Sequence, residues 1–296
     1  MERSLEWVTS LLEPTRGESA GHFSLVLGRP SPSPKIIVAL QHPQWGTCLV
    51  HVAQGEGATF LRNELSSIKR CHDLGLDENV PKLLHVEDNG NLVAYVTPQY
   101  GRPKRLPLEM SVSLISPIHL ATGKHTRLVD TPVFSSIQAW NQQFGEAQTA
   151  IDQVLRLASE LNSWVLSGIT HRDFGWDNVL TNGETHVIID WEYSQSDYPT
   201  VFDLFQYYVH LDNSVETKMK QLVQLVESPE VAIPVSYRPH YMENVEVSSL
   251  RAIVGVWLAD YLKIRFELAQ KTHLTDPYKL EGWQWLACWN AIVSDA

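Results

Sequence analysis

Between His171 and Glu192 the chain reads HRDFGWDNVLTNGETHVIIDWE, and three oxygen-bearing side chains stand out in it by their spacing. Asn178 follows Asp173 by five positions, and Asp190 closes the second of two short apolar runs. The Asn182-Gly183 pair between those runs predicts a tight hairpin, with VL and VIID as its strands. A hairpin brings the residue before its first strand beside the residue after its second. Asn178 and Asp190 are therefore expected side by side at its open end. A carboxylate and an amide oxygen placed together are hard ligands, suited to Mg²⁺ held against phosphates. Asp173, on the loop just upstream, is expected to face the same spot. Metal ligands plus a carboxylate that orients a hydroxyl and takes its proton are the set that phosphoryl transfer requires.

The same residues carry a family resemblance. His171-Arg172-Asp173, with Asn178 at its distance, resembles the catalytic loop of protein kinases. Ile189-Asp190-Trp191-Glu192 departs from the Asp-Phe-Gly of those enzymes. It is similar to the Ile-Asp-Trp-Glu of the aminoglycoside phosphotransferase and choline kinase group. The resemblance implies an α+β, bilobal, protein kinase-like fold. It also implies Asp173 as catalytic base, His171 as a loop-bracing residue, Asn178 and Asp190 as Mg²⁺ ligands, and ATP or GTP as phosphate donor. Asp203, in PTVFDL, resembles the structural Asp that holds the catalytic loop in this group. Glu192 reads either as a second metal contact or as a solvated loop acid, and the second is favoured.

The phosphate grip departs from the pattern. Kinases of this group use a Lys on the third strand, fixed by a Glu on the next helix. The helix Glu is expected at Glu64, but the third-strand position in LVHVA is His51. Beside Glu64, a protonated His51 would still contact a phosphate. Lys35, on the second strand, would supply the charge instead if the register differs; His51 is preferred. The loop GRPSPSP, residues 28–34, offers few backbone N–H groups for cradling phosphates.

Elements must position these groups. Leu5–Leu12 shows helical spacing that Pro14 ends. His22–Leu27, Lys35–Leu40 and Cys48–Ala53 read as an antiparallel meander cut by Pro- and Gly-containing turns. Ala58–Leu74 reads as a helix closed by Gly75. VPKLLHVED and NLVAYVTPQ then form a hairpin about Asn89-Gly90. Residues 1–97 are expected as an N-terminal lobe on the nucleotide side, 98–104 as a hinge, and 105–296 as a lobe with the catalytic loop, metal site and acceptor site. Within 104–132, pieces such as SVSLISPIHL predict an extra hairpin or an irregular insertion. Helices are expected over 147–166, 219–226, 249–269 and 280–293.

Bulk properties narrow the function. The 296 residues are 44% hydrophobic and 19% charged, the composition of a folded globular chain. A net charge of −11 argues against nucleic acid and anionic membranes as partners. Cys48, Cys71 and Cys288 are too far apart for a disulfide framework or a zinc site, and no signal peptide or spanning segment is read, so a reducing cytoplasm is expected. The acceptor is expected to be a small-molecule hydroxyl of aminoglycoside, sugar or amino-alcohol type, with a peptide hydroxyl as the lesser option. Trp and Tyr residues after the catalytic segment read as core packing rather than a cation cage. Asp197, Asp212, Glu216 and Asp260 are candidate amine partners but read more simply as surface acids. The altered phosphate grip keeps open a second reading, a non-catalytic binding protein of the same shape.

Overall fold

The computed structural model describes residues 23–26, 35–142, 148–183, 185–210, 215–228, 238 and 247–272. The expected helices at 5–12 and 280–293 lie outside them. The chain divides into two compact units, one of residues 1–104 with 178–194 and one of 105–177 with 195–296. The expected linear boundary near residue 104 is therefore crossed once more: the hairpin after the catalytic loop groups with the first unit.

In the first unit, β1 (Phe23–Val26), β2 (Lys35–His42), β3 (Gly46–Gln54), β4 (His85–Asp88) and β5 (Leu92–Pro98) form an antiparallel sheet in the order β1-β2-β3-β5-β4. Two positive-φ glycines make its tight turns, Gly46 at 69° and Gly90 at 86°, a region that side-chain-bearing residues rarely enter. Helix α1 (Glu56–Asp73) lies on one face. Its Ala58, Leu61 and Leu65 recur at helical spacing and pack on Ala53, Val93 and Tyr95. Its end is a Schellman motif: the N–H of Gly75 donates to the His72 carbonyl and that of Leu76 to the Cys71 carbonyl. Removing the Leu61 side chain to Ala would cost about 2–5 kcal/mol, because that position is sealed.

A second, three-stranded sheet completes this unit. β6 (Arg102–Pro103) pairs with β9 (Val179–Asn182), which turns through Gly183 at φ 67° into β10 (Thr185–Ile188). The stretch expected as a plain connector thus contributes a strand.

The second unit is mainly helical. It holds α2 (Leu108–Thr122), β7 (Lys124–Arg127), α3 (Pro132–Asn141), α4 (Gln148–Leu161), β8 (Trp164–Thr170), β11 (Gln195–Pro199), α5 (Val201–His210), α6 (Val215–Glu227) and α7 (Val247–Thr272). Its core joins Ile137, Val154, Phe205, Leu222 and Trp257. Neither expectation for 104–132 is met. The alternating SVSLISPIHL is helical, and Val112, Ile115 and Ile118 form its buried stripe. The expected 147–166 helix stops at Leu161, since Trp164–Thr170 is captured as the central strand of the sheet β11-β8-β7. Tertiary pairing overrides local pattern in both places. Among the described residues, no helix is long and apolar enough to cross a membrane.

Candidate functional site

Strand registers decide which side chains share a face in the first unit. Lys35 pairs with Ala53, Ile37 with His51, and Ala39 with Leu49 across β2 and β3. Across β3 and β5, Leu49 pairs with Thr97, His51 with Tyr95, and Ala53 with Val93. With a period of two, Lys35, Ile37, Leu49, His51, Tyr95 and Thr97 all project from the same side. They line one cleft together with Glu64, Pro81, Tyr100, Leu180, Ile189 and Asp190. The register also polarises the cleft: Leu49 marks an apolar end, and Lys35 lies four rungs away with the acids.

The charged end is built around Lys35. Its ammonium contacts Glu64 Oε2 at 3.3 Å and Glu192 Oε2 at 3.1 Å, and it donates to the Asp190 carboxylate. Glu64 comes from the buried stripe of α1, and the Tyr95 hydroxyl donates to it. Burial pushes the Glu64 carboxyl up to about 7 against the pull of Lys35, with Asp190 and Glu192 adding to the rise. Burial would lower the Lys35 pKa, but the three carboxylates hold it well above its ordinary value.

His51 takes no part in this ion cluster. Its ring stacks on Tyr95 with centroids 4.5 Å apart, and its Nδ1 is sealed from solvent without a hydrogen-bond partner. Burial, reinforced by the neighbouring Lys35 charge, pulls its pKa down to about 3. Against the expected pairing of His51 with Glu64, the cation beside Glu64 is Lys35. Glu192, expected as a solvated acid, is instead buried and ion-paired.

The hairpin sets Asn178 against Asp190. The Ile189 N–H donates to the Asn178 carbonyl at 2.9 Å, one rung beyond the β9–β10 register. Asp190 sits in the left-handed region at φ 67° and caps the 3₁₀ turn Trp191–Tyr193. That conformation is uncommon for a residue with a side chain, though Asp tolerates it better than most. A clasp holds the turn from Glu192 to Ser194. The Asn63 amide donates to the carbonyls of Glu192 and Ser194, and the Ser67 and Ser194 hydroxyls lie 2.6 Å apart. No local pattern signals this clasp; α1 supplies Asn63 and Ser67 while its apolar stripe packs on the sheet.

His171 and Asp173 lie in the second unit. Buried Asp203, in the first turn of α5, accepts three hydrogen bonds, from the N–H groups of His171 at 2.7 Å and Arg172 at 2.8 Å and from His119 Nε2 at 3.0 Å. The Asp173 N–H in turn faces His171 Nδ1 at 3.3 Å. Arg172, at φ 67°, makes paired contacts to Asp260 at 2.8 and 2.7 Å and stacks over the Tyr198 ring. Asp260 is thereby occupied inside the fold rather than lying on the surface, whereas Asp197 pairs with Lys124 on the exterior. Asp212 lies outside the described residues, as does the side chain of Glu216.

No protein-family model matches the chain, and no curated protein sequence does either. Solved structures do resemble it. A GDP complex of an aminoglycoside 2'-phosphotransferase-IIIa variant is 15% identical with a TM-score of 0.58, over 99% of this chain and 100% of that one. The macrolide 2'-phosphotransferase MphH of Brachybacterium faecium is 12% identical with a TM-score of 0.57, over 97% and 98%. An amicoumacin kinase bound to AMP-PNP and Ca²⁺ is 12% identical with a TM-score of 0.51, over 95% and 92%. The chain has the protein kinase-like fold of the aminoglycoside and macrolide phosphotransferases.

Proposed function

We propose that this protein is a nucleotide-dependent phosphotransferase acting on the hydroxyl of a small molecule. The observation that carries the reading is the Lys35–Glu64 pair beside Asp190, at the charged end of a cleft whose other end is apolar. A flat base suits the apolar walls of Leu49, Ile37 and Leu180, and phosphates suit the ammonium of Lys35. The oxygen donors Asn178 and Asp190, on adjacent rungs of one hairpin, fit a Mg²⁺ ion. Bound there, such an ion would neutralise phosphate charge.

The protein's own groups divide the remaining work. Asp173 orients the acceptor hydroxyl and accepts its proton. His171 and Arg172, tied by their backbone N–H groups to Asp203, keep that carboxylate in a defined loop conformation. Glu64 and Tyr95 hold Lys35 extended into the cleft. Lys35 beside Glu64 offers the positive charge that His51 does not, which favours this reading over a non-catalytic one. ATP or GTP serves as donor. Nucleotide complexes of neighbours with this fold, one with GDP and one with AMP-PNP, support that class. The acceptor is an aminoglycoside-like, sugar-like or amino-alcohol hydroxyl.

The test has two parts. Millimolar ATP or GTP with Mg²⁺ should raise the melting temperature, and chelator should abolish the rise. Asp173→Asn should keep that nucleotide-dependent shift while lowering turnover by about 10²–10⁴-fold. Undiminished turnover in the variant would remove Asp173 from the assignment, and no nucleotide shift at all would remove the reading.

A further inference from the structure

Lys35 does more than face the cleft. It touches three carboxylates, those of Glu64, Asp190 and Glu192. One oxygen of each lies within 4.8 Å of the others, the spacing of a cation's ligand set. One positive and three negative charges leave a net of −2 when all are ionised. The site is therefore short of positive charge with Lys35 already in place. A second observation points to a ligand at the same spot. His51 lines this cleft, and its Nδ1 is buried without a hydrogen-bond partner.

The strand that supplies Lys35 explains why one ammonium reaches all three acids. From the start of β2, on the same face as His51, its flexible four-carbon stem spans Glu64 on α1 and Asp190 at the hairpin's end. His51, two residues along β3 from Ala53, the cross-strand partner of Lys35, stacks on Tyr95 outside the ion cluster.

We propose that Lys35 is a built-in counter-ion that competes with a divalent cation for the Asp190 carboxylate, so that metal entry and lysine release are one exchange. Before loading, the ammonium holds Asp190 and damps the repulsion among the acids. When a cation takes Asp190, Lys35 keeps Glu64 and is freed to turn toward phosphate oxygens. Metal alone then binds poorly, because it must displace the ammonium from Asp190 with no phosphate to replace that contact. Metal and phosphate together bind well, because each accepts what the other displaces. The inference rests on the phosphotransferase reading for the role of Asp190.

The experiment measures Mn²⁺ binding without nucleotide, by paramagnetic relaxation of water protons. It uses the wild-type chain, Lys35→Met, Lys35→Gln, and Lys35→Met combined with Asp190→Asn. The two single variants should bind Mn²⁺ at least about tenfold more tightly than wild type, in line with removal of one competing charge-assisted contact. Adding Asp190→Asn should cancel the gain. An affinity equal to or weaker than wild type in both single variants overturns the proposal. If a single variant lacks a native thermal transition in chelator, the same titration is read as recovery of that transition. Recovery with Mn²⁺ supports the exchange, and no recovery overturns it. The nucleotide shift of the wild-type protein is scored separately. Its absence would sink the phosphotransferase reading, while a Mn²⁺ gain in the lysine variants needs no nucleotide.

Discussion

Asp203 and Asp190 are both acids pressed against positive or hydrogen-bonding partners, yet their surroundings differ in kind. Around Asp203 two backbone N–H groups and His119 share its two oxygens, and one terminal nitrogen of nearby Arg172 meets both oxygens of Asp260. Each region keeps one buried nitrogen without a partner, Arg172 Nε and His51 Nδ1, but only around Asp190 are the charges unequal, with one lysine facing three carboxylates. Buried polar groups that are fully satisfied rigidify a fold, whereas a surplus of charge is costly unless a ligand completes it. The contrast is between a region whose charges are paired off and one that carries surplus negative charge.

The largest test of that contrast is Asp203→Ala. It leaves two backbone N–H groups and His119 buried without their acceptor, and should cost about 3–5 kcal/mol in urea denaturation. A loss under about 1 kcal/mol would mean that the loop is held by something else. Next comes Arg172→Met, which strands buried Asp260. It should cost about 3 kcal/mol, and Arg172→Met with Asp260→Asn should recover part of this; additive losses would deny the pairing.

A pH series sharpens the comparison on the other side. The folded pKa of His51, about 3, lies below its unfolded value, so the unfolded chain takes up the proton first as pH falls. The stability that His51 contributes is complete above about pH 6.5 and is lost progressively on acidification toward 3. His51→Phe keeps a ring against Tyr95 and removes the titration. Between pH 7 and pH 5 the variant should therefore lose about 2 kcal/mol less than wild type. Parallel pH profiles would show that His51 is protonated in the fold. The smallest effect is expected for Glu192→Gln. Lost attraction to Lys35 and relieved repulsion among the acids oppose each other, so stability should move by no more than about 1 kcal/mol in either direction. A loss like that of Asp203→Ala would make Glu192 part of a brace.

Much of the first unit was legible because its signals are local. Gly75 ends α1 by a backbone conformation that needs no neighbour, and the Asn89-Gly90 turn makes its hairpin by the same logic. The segments misread were those whose partners are distant. SVSLISPIHL alternates like a strand but buries a helical stripe, and Trp164–Leu166 continues a helical pattern but is claimed by β7.

For the candidate site, the sequence by itself determined where the oxygen-bearing side chains fall along the hairpin. The Asn182-Gly183 turn and two short apolar runs leave little freedom in where Asn178 and Asp190 fall. Only the tertiary structure decided which cation serves Glu64. Lys35 and His51 lie on adjacent strands and share a face, so the alternation pattern accommodates either. The choice comes from reach and burial: the lysine stem spans to the acids, while the imidazole is sealed against Tyr95 where a proton on it is disfavoured.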